Sequence, residues 1–148
     1  MIEENIEHDL KQSMLDRDHQ KTSALRNLKS VILYFKISKG SRNQRLDDLE
    51  VIDLLSKELK KRLESVELYK KGNNQEKANA ELYEVKVIES YLPPKMSDQE
   101  IDQIIDEVVK EKGKDIKNMG LIISQVKLRT VGRVDGAIIA SKVKEKIT

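Results

Sequence analysis

The stretch YLPPKMSDQE at residues 91–100 decides how the chain is organised. Two adjacent prolines cannot continue a helix, because proline has no backbone N–H to donate and also restricts the residue before it. Directly after them, Ser97 and Glu100 have the spacing of a capping box, in which the serine caps a new helix and the glutamate bonds back to it. The sequence therefore predicts a boundary between an N-terminal domain at residues 1–92 and a C-terminal domain at residues 93–148.

Before the prolines, apolar residues recur every three or four positions, which is the period of a helix with one buried face. Gly40 and Gly72 are expected to stop two of these helices, and Asp47, with Glu50 three residues later, to cap the start of the third. Four stripes predict four helices that pack as a bundle. The stripes are Ile6, Leu10 and Met14; Leu25, Leu28, Val31, Ile32 and Phe35; Leu55, Leu59, Leu63 and Val66; and Ala78, Leu82, Val85 and Ile88.

After the prolines, three further stripes predict three helices, with Gly113 as a stop and with Asp115 and Asp135 as N-caps. β-Branched residues are common, but they fall at helical spacing and predict no strand. The expected fold is therefore all-α, with an N-terminal four-helix domain followed by a small three-helix C-terminal domain. The three stripes are Ile101, Ile104, Ile105 and Val108; Ile116, Met119, Ile122, Ile123 and Val126; and Ile138, Ile139, Val143 and Ile147.

The composition restricts the class of protein. The 148 residues are 36% charged and 3% aromatic, and they include no cysteine, which excludes disulfide and thiolate chemistry. The acidic start MIEENIEHDL lacks the apolar core of a signal peptide, and no apolar run approaches the length that crosses a membrane. We therefore expect a cytoplasmic protein with no membrane partner.

The sequence offers little that could form a catalytic, metal or cofactor site. Its two histidines, His8 and His19, lack the spacing of a metal-ligand pair on one helix. Neither a P-loop nor a GxGxxG motif occurs. Glu81 and Glu84 lie among the apolar residues of the fourth helix, where a Lys or Arg from a neighbouring helix would explain them without catalysis. The sequence predicts no catalytic residue, metal or cofactor, and an independent enzyme finds support only in these two carboxylates.

The charge distribution is uneven. Residues 112–148 contain nine Lys and Arg against three Asp and Glu, a net charge of +6, whereas residues 1–111 carry −4. The stretch KISKGSRNQR at residues 36–45 is also basic without an acid. Such runs are either solvated surface charge or contacts to an RNA backbone. The candidate nucleic-acid-binding residues are Lys117, Lys127, Arg129 and Arg133, with Lys36, Lys39, Arg42 and Arg45 as a second patch. Few aromatic residues are present to stack on bases.

The stretch TVGRVDGAII at residues 130–139 allows two interpretations. Gly132 suits a turn with positive φ, and Asp135 suits the N-cap of the last helix, so the stretch could serve only as a helix start. That explanation does not account for Arg133 or for the cations around it. A surface that contacts RNA phosphates through Lys and Arg is the second interpretation.

Several segments resemble the GatB/YqeY family, and their order and spacing are more specific than any one of them. They include ESYLPPKMSDQEI, NMGLIISQVK and VGRVDGAIIASKVKEKI, together with DLKQSMLDRDHQKTSALRNLKSVI and ELKKRLESVELYKKGN in the N-terminal half. The resemblance covers about residues 6–148, and the length fits the stand-alone YqeY-like proteins. It implies an all-helical fold with a larger N-terminal and a small C-terminal domain.

The resemblance also implies a function. A homologous domain forms the C-terminal tail of the B subunit of the glutamine-dependent aspartyl/glutamyl-tRNA amidotransferase, where it helps to hold the tRNA. The family label is a carbon–nitrogen ligase with glutamine as amido-N-donor, but this chain lacks the large catalytic domain of that subunit. The positions that match the tail domain are Met119, Gly120, Gln125, Val126, Gly132, Arg133 and Asp135.

Two functions are therefore expected. The first is a tRNA-binding or tRNA-amidotransferase-associated accessory protein that is not catalytic by itself, with tRNA, an amidotransferase or another translation-related protein as partner. The alternative is a protein-interaction module that docks on an enzyme or ribonucleoprotein without touching RNA. An exposed apolar patch on the small C-terminal domain would favour this alternative.

Overall fold

A computed structural model of the protein describes residues 1–131 and 133–148 and shows helices only within them. The all-α class is therefore confirmed for these residues. Gly132, expected at a turn, lies outside them. The helices are α1 (Ile2–Leu15), α2 (His19–Ser38), α3 (Asp48–Lys71), α4 (Gln75–Glu89), α5 (Asp98–Lys112), a short 3₁₀ helix (Ile116–Asn118), α6 (Met119–Thr130) and α7 (Gly136–Ile147).

The helices gather into two compact units, Met1–Leu92 and Pro93–Thr148. Helices α1 to α4 lie in the first unit, and the 3₁₀ helix and α5 to α7 lie in the second. Each unit has a buried apolar cluster of its own. That the two units are domains that fold separately stays a prediction.

The core of the first unit forms because each of its helices buries most of the apolar stripe that its sequence period indicates. Met14 and Leu63 are exceptions, since they are 50% and 40% exposed. Helix α1 packs mainly on α2, and α3 packs on α4, across short connections. Leu46, in the segment between α2 and α3, is also buried. The central cluster contains Ile6, Leu10, Leu25, Leu28, Ile32, Leu46, Val51, Leu55 and Ile88.

The core of the second unit is smaller and consists of aliphatic side chains. Helices α5, α6 and α7 pack on one another pairwise, so each contributes one face to the same cluster. Met96, just before α5, packs on the edge of this cluster. Its buried residues are Ile101, Ile105, Val108, Val109, Ile122, Val126, Ile139 and Val143.

The helix ends follow the local signals of the sequence. Ser97 and Glu100 form both bonds of the capping box at the start of α5. The Asp47 carboxylate accepts a bond from the Glu50 amide at 2.8 Å, and the Asp135 carboxylate accepts one from the amide of Ala137 at 3.0 Å. These caps satisfy amides that have no partner inside the helix.

Two helix boundaries differ in detail from the sequence expectation. Helix α3 stops at Gly72 as predicted, but the left-handed residue is Asn73, with φ of 57°, whereas Gly72 has φ of −84°. Asparagine tolerates this region because its short polar side chain bonds locally. The predicted sixth helix begins as a 3₁₀ turn, in which the Asn118 amide donates to the Asp115 carbonyl three residues earlier at 2.8 Å.

Candidate nucleic-acid interface

Helix α5 is acidic, and its carboxylates pair with two of the arginines predicted to contact RNA. The Arg129 guanidinium lies 2.8 Å from a Glu111 carboxylate oxygen and 3.6 Å from one of Glu107. The Arg133 guanidinium lies 3.8 Å from a carboxylate oxygen of Glu100. Both arginines are about one-third exposed. Their charges are therefore balanced within the second unit before any partner arrives.

The same helix also neutralises two lysines of α7. The Lys142 ammonium lies 3.2 Å from a carboxylate oxygen of Asp102 and 3.5 Å from one of Asp98, and the Lys146 ammonium lies 2.6 Å from one of Asp106. The hydrogen bond to Asp102 is the main cause that raises the pKa of Lys142 above its usual value. The excess positive charge near the C-terminus is thus largely offset by acids that precede it in sequence.

Arg133 also forms hydrogen bonds to the segment that precedes α5. Its Nε donates to the carbonyl of Pro94 at 2.7 Å, and its own carbonyl accepts a bond from the Met96 amide at 3.5 Å. The segment after the prolines and the loop before α7 are therefore joined through one residue. This arrangement gives Arg133 a structural role in the second unit.

Four exposed lysines remain at the end of α5 and in the turn that follows it. We call this set the basic turn: Lys110, Lys112, Lys114 and Lys117. The two acids within the same eight residues are already engaged, because Glu111 pairs with Arg129 and Asp115 caps the 3₁₀ helix. Among the described residues, no carboxylate pairs with any of the four lysines. The basic turn thus has a positive net charge, because Asp115 offsets only one of its four lysines and Glu111 is paired with Arg129.

Lys127 is exposed and lies at the other end of α6. Its Cε is 3.1 Å, and its ammonium 3.4 Å, from the position that a Cβ on Gly136 would occupy. The side chain therefore lies against the first residue of α7, where a Cβ would require the flexible end of Lys127 to shift by a few tenths of an ångström. Within residues 1–131 and 133–148 it forms no ion pair. Lys127 remains available to an anion from outside the chain.

The second predicted patch is changed most by Lys36, which is buried on the inner side of α2. Its ammonium pairs with the Glu3 carboxylate, whose other oxygen accepts a bond from the Leu46 amide at 2.9 Å. Burial by itself raises the pKa of Glu3, but the bonds from Lys36 and from Leu46 outweigh it, so this pKa lies below its usual value. Lys36 cannot reach a nucleic acid from this position, so the prediction that it contacts nucleic acid is wrong.

The remaining residues of this patch are exposed but mostly paired. Lys39 pairs with Glu50 and lies 5.2 Å from the ring centre of Phe35. The guanidinium of Arg45 is 2.9 Å from a carboxylate oxygen of Glu7, and this bond is the main cause that raises the arginine's pKa. Arg42 is exposed and has no ion pair in the part of the chain that the structure describes. It alone of the four remains uncompensated.

Sequence reasoning missed three of the four residues of the basic turn, although the signal was present as four lysines within eight residues. It also missed the ion pairs of α5, because they join residues that are 18 to 44 positions apart. No local pattern specifies such pairs. The candidate site thus shifts from the loop before α7 to the turn after α5, within the second unit. Of the other predicted cations, Lys127 of this unit and Arg42 of the first unit have no ion pair in the described residues.

The carboxylates of α4 have a partner from a neighbouring helix, as expected for Glu81. The Arg62 guanidinium of α3 lies 3.2 Å from a Glu81 oxygen and 3.3 Å from one of Glu58, beside a shallow depression of about 220 Å³. Glu84 accepts a bond from the Asn27 amide at 3.0 Å, and its second, buried oxygen has no partner in the described residues. Arg62 and Glu81 thus form an ion pair between α3 and α4, and Glu84 is hydrogen-bonded to α2.

Within residues 1–131 and 133–148, no group of three or more His, Cys, Asp and Glu residues is arranged to hold a metal ion. None of the helices described is both long and apolar enough to cross a membrane.

Comparison with known proteins gives one family and two similar proteins. A family model described as YqeY-like protein matches residues 3–147. The chain is 32% identical over 108 residues to altered inheritance of mitochondria protein 41, mitochondrial, of Vanderwaltozyma polyspora, and 30% identical over 109 residues to the protein of that name in Lachancea thermotolerans. Each match covers 72% of this chain and 57% of the relative, so the chain spans little more than half the length of these relatives.

Proposed function

This chain belongs to the family of YqeY-like proteins, and from that premise we propose that it is a tRNA-binding or tRNA-amidotransferase-associated accessory protein without catalysis of its own. The single observation that carries the proposal is the basic turn, whose four lysines have no acid partner within residues 1–131 and 133–148, while the acids beside them are engaged elsewhere. We also propose that the protein is located in the cytoplasm. The names of the two yeast relatives describe them as mitochondrial proteins, and tRNA occurs in both compartments.

Charge that is already balanced inside a protein adds little to RNA binding, since a phosphate would have to displace the carboxylate. Unpaired lysines release counterions from the RNA when they approach its backbone, and this release drives the binding. The proposed contacts are therefore the basic turn, with Lys127 and Arg42 as outlying cations. Arg129 and Arg133 are proposed to hold the second unit together rather than to touch RNA.

Binding of a fluorescently labelled tRNA to the full chain, measured over a series of salt concentrations, tests the proposal. The wild type is expected to bind with an affinity that falls steeply with salt. Neutralising three lysines of the basic turn is expected to reduce the slope of log affinity against log salt by about two to three. The variant carries Lys112→Gln, Lys114→Gln and Lys117→Gln.

A matched control removes the same net charge from exposed lysines of the first unit that have no ion pair among the described residues. This control is expected to keep both the affinity and the salt slope of the wild type. Equal losses in both variants, or a wild type that binds no tRNA at low salt, would contradict the proposal. The control carries Lys70→Gln, Lys71→Gln and Lys86→Gln.

The alternative function, a module that docks on a protein without touching RNA, is favoured by one observation on the second unit. Leu121 and Leu128 are 48% and 68% exposed, and their spacing of seven residues places them on the same face of α6. Recovery of partners from a cell extract, with and without nuclease, separates the two functions. A translation-related protein that stays bound after nuclease, with no direct tRNA binding, would support the alternative.

A further inference from the structure

Helix α2 and the segment after it have an unusual charge pattern. From residue 19 to residue 46, the chain has seven Lys and Arg and no Asp or Glu. Three of these cations are paired with acids from other elements: Lys36 with Glu3, Lys39 with Glu50, and Arg45 with Glu7. The remaining four cations are not balanced within the described residues. They are Lys21, Arg26, Lys29 and Arg42.

Two of these cations lie on a helix face that also exposes apolar side chains. Arg26, Lys29, Leu33 and Ile37 follow one another at spacings of three, four and four, so they share the outward side of α2. Tyr34 borders this stripe and is 79% exposed, whereas Ile37 is 53% and Leu33 39% exposed. We call these five residues the α2 face.

The α2 face is unlike an ordinary solvated helix surface. Its polar part has only positive charge, and its apolar part brings an aromatic and two branched side chains together within about one turn. In the described residues, neither Arg26 nor Lys29 has a carboxylate partner, and the hydroxyl of Tyr34 has no hydrogen bond. Tyrosine and arginine are also the side chains that most often contribute strongly to protein interfaces.

We infer that the α2 face docks an acidic amphipathic helix of a partner protein. The apolar side of such a helix would bury Leu33, Tyr34 and Ile37, while carboxylates on its flank would meet Arg26 and Lys29. The stripe extends over eleven residue steps, or about 16 Å, which suits about three turns of a partner helix. This surface lies on the first unit, and its function does not depend on RNA binding by the basic turn.

The composition of the face favours a protein over an RNA or a membrane. Leu33 and Ile37 would gain nothing from a phosphate backbone, whereas a partner helix removes them from water. A helix that lies on a membrane needs a broad apolar face. On α2 only the three apolar side chains of the α2 face are available for this, since the opposite side of the helix is already buried in the core. An acidic helix complements both halves of the α2 face.

The test uses the full chain and a labelled synthetic helical peptide with leucines along one face and glutamates on the others. We expect the peptide to bind the wild type, and a second peptide with every glutamate replaced by lysine not to bind. Tyr34→Ala combined with Ile37→Ala is expected to weaken binding about tenfold or more, and Arg26→Glu to weaken it similarly. The variants are expected to fold, since the changed side chains are exposed. Circular dichroism checks this for each variant.

Leu68→Ala, at a leucine of α3 that is 68% exposed, is the matched control and is expected to bind the peptide like the wild type. Absence of peptide binding, equal binding of the lysine peptide, or an equal loss in the control would overturn the inference. It would also be overturned if Tyr34→Ala with Ile37→Ala reduced binding to tRNA, or to phosphatidylserine vesicles, instead of to the peptide. The variant of the basic turn should keep peptide binding, which separates this inference from the proposed function.

Discussion

Glu3 and Lys36 form the ion pair of the first unit with the least exposure to water, since their side chains are 5% and 11% exposed. Lys36→Met would leave the Glu3 carboxylate buried without its charge partner, and we expect a loss of about 3 to 5 kcal/mol in the free energy of unfolding. Lys39→Met is the matched control, because Lys39 also pairs with a glutamate but is 45% exposed. It should cost at most about 1 kcal/mol in urea denaturation. Similar losses in the two variants would contradict the role assigned to Lys36.

The same pair predicts a dependence of stability on pH. Because the folded pKa of Glu3 lies below its usual value of 4.5, folding favours the ionised carboxylate, and this contribution is fully present above about pH 4.5. It is lost as the pH falls through the lowered, folded pKa. Glu3→Gln has no such group, so its stability should fall less than that of the wild type as the pH is lowered below 4.5. Parallel stability curves would disprove the assignment.

At the scale of single elements, two glycines of the second unit predict opposite effects of the same substitution. Gly113 ends α5 with φ of 87° and ψ of 157°, a region that only glycine adopts without strain, so Gly113→Ala should destabilise the protein by about 1 to 3 kcal/mol. Gly120 lies in the first turn of α6 with open space around it, and Gly120→Ala should stabilise by about 0.5 kcal/mol. Thermal unfolding measures both. A change of the melting temperature with the same sign in both variants would contradict the backbone conformations described for Gly113 and Gly120.

The elements also show what sequence reasoning can and cannot predict. The helices, the capping box at Ser97 and the glycine end at Gly113 depend on residues a few positions apart, so local patterns specify them. The burial of Lys36 and the pairs of Arg129 depend on residues from other helices, and sequence alone ranked all these cations as exposed. Charge counted along the chain therefore overestimated the cationic surface of the second unit, since the acids that offset it lie on α5.

At the scale of the whole molecule, the two buried clusters share no residue. We therefore predict that the units Met1–Leu92 and Pro93–Thr148 unfold as separate cooperative domains. Ile105→Ala creates a cavity in the second cluster and should cost that unit about 2 to 5 kcal/mol. Hydrogen exchange should then speed up in residues 93–148 and stay unchanged in residues 1–92, with the converse for Ile88→Ala. Faster exchange throughout the chain in either variant would show one cooperative unit.

We propose that the fold determines which cations can contact RNA, because it pairs some of them with acids and leaves others without an ion pair in the described residues. The most direct measurement compares the salt dependence of tRNA binding for two triple variants that remove the same charge from the second unit. One replaces three unpaired residues, and the other replaces three paired ones. The sets are Lys112→Gln, Lys114→Gln and Lys117→Gln, against Arg129→Gln, Arg133→Gln and Lys146→Gln.

We expect the variant in which the unpaired lysines are replaced to have a slope of log affinity against log salt that is smaller in magnitude by about two to three. The paired set should change the slope of log affinity against log salt by less than about one, because these cations contact acids and not RNA. The carboxylates that it frees repel RNA, so its affinity is expected to fall somewhat at low salt. Both variants are first checked for folding by circular dichroism. A paired variant that loses binding while the unpaired variant keeps it would place the RNA surface on the arginines and contradict the account.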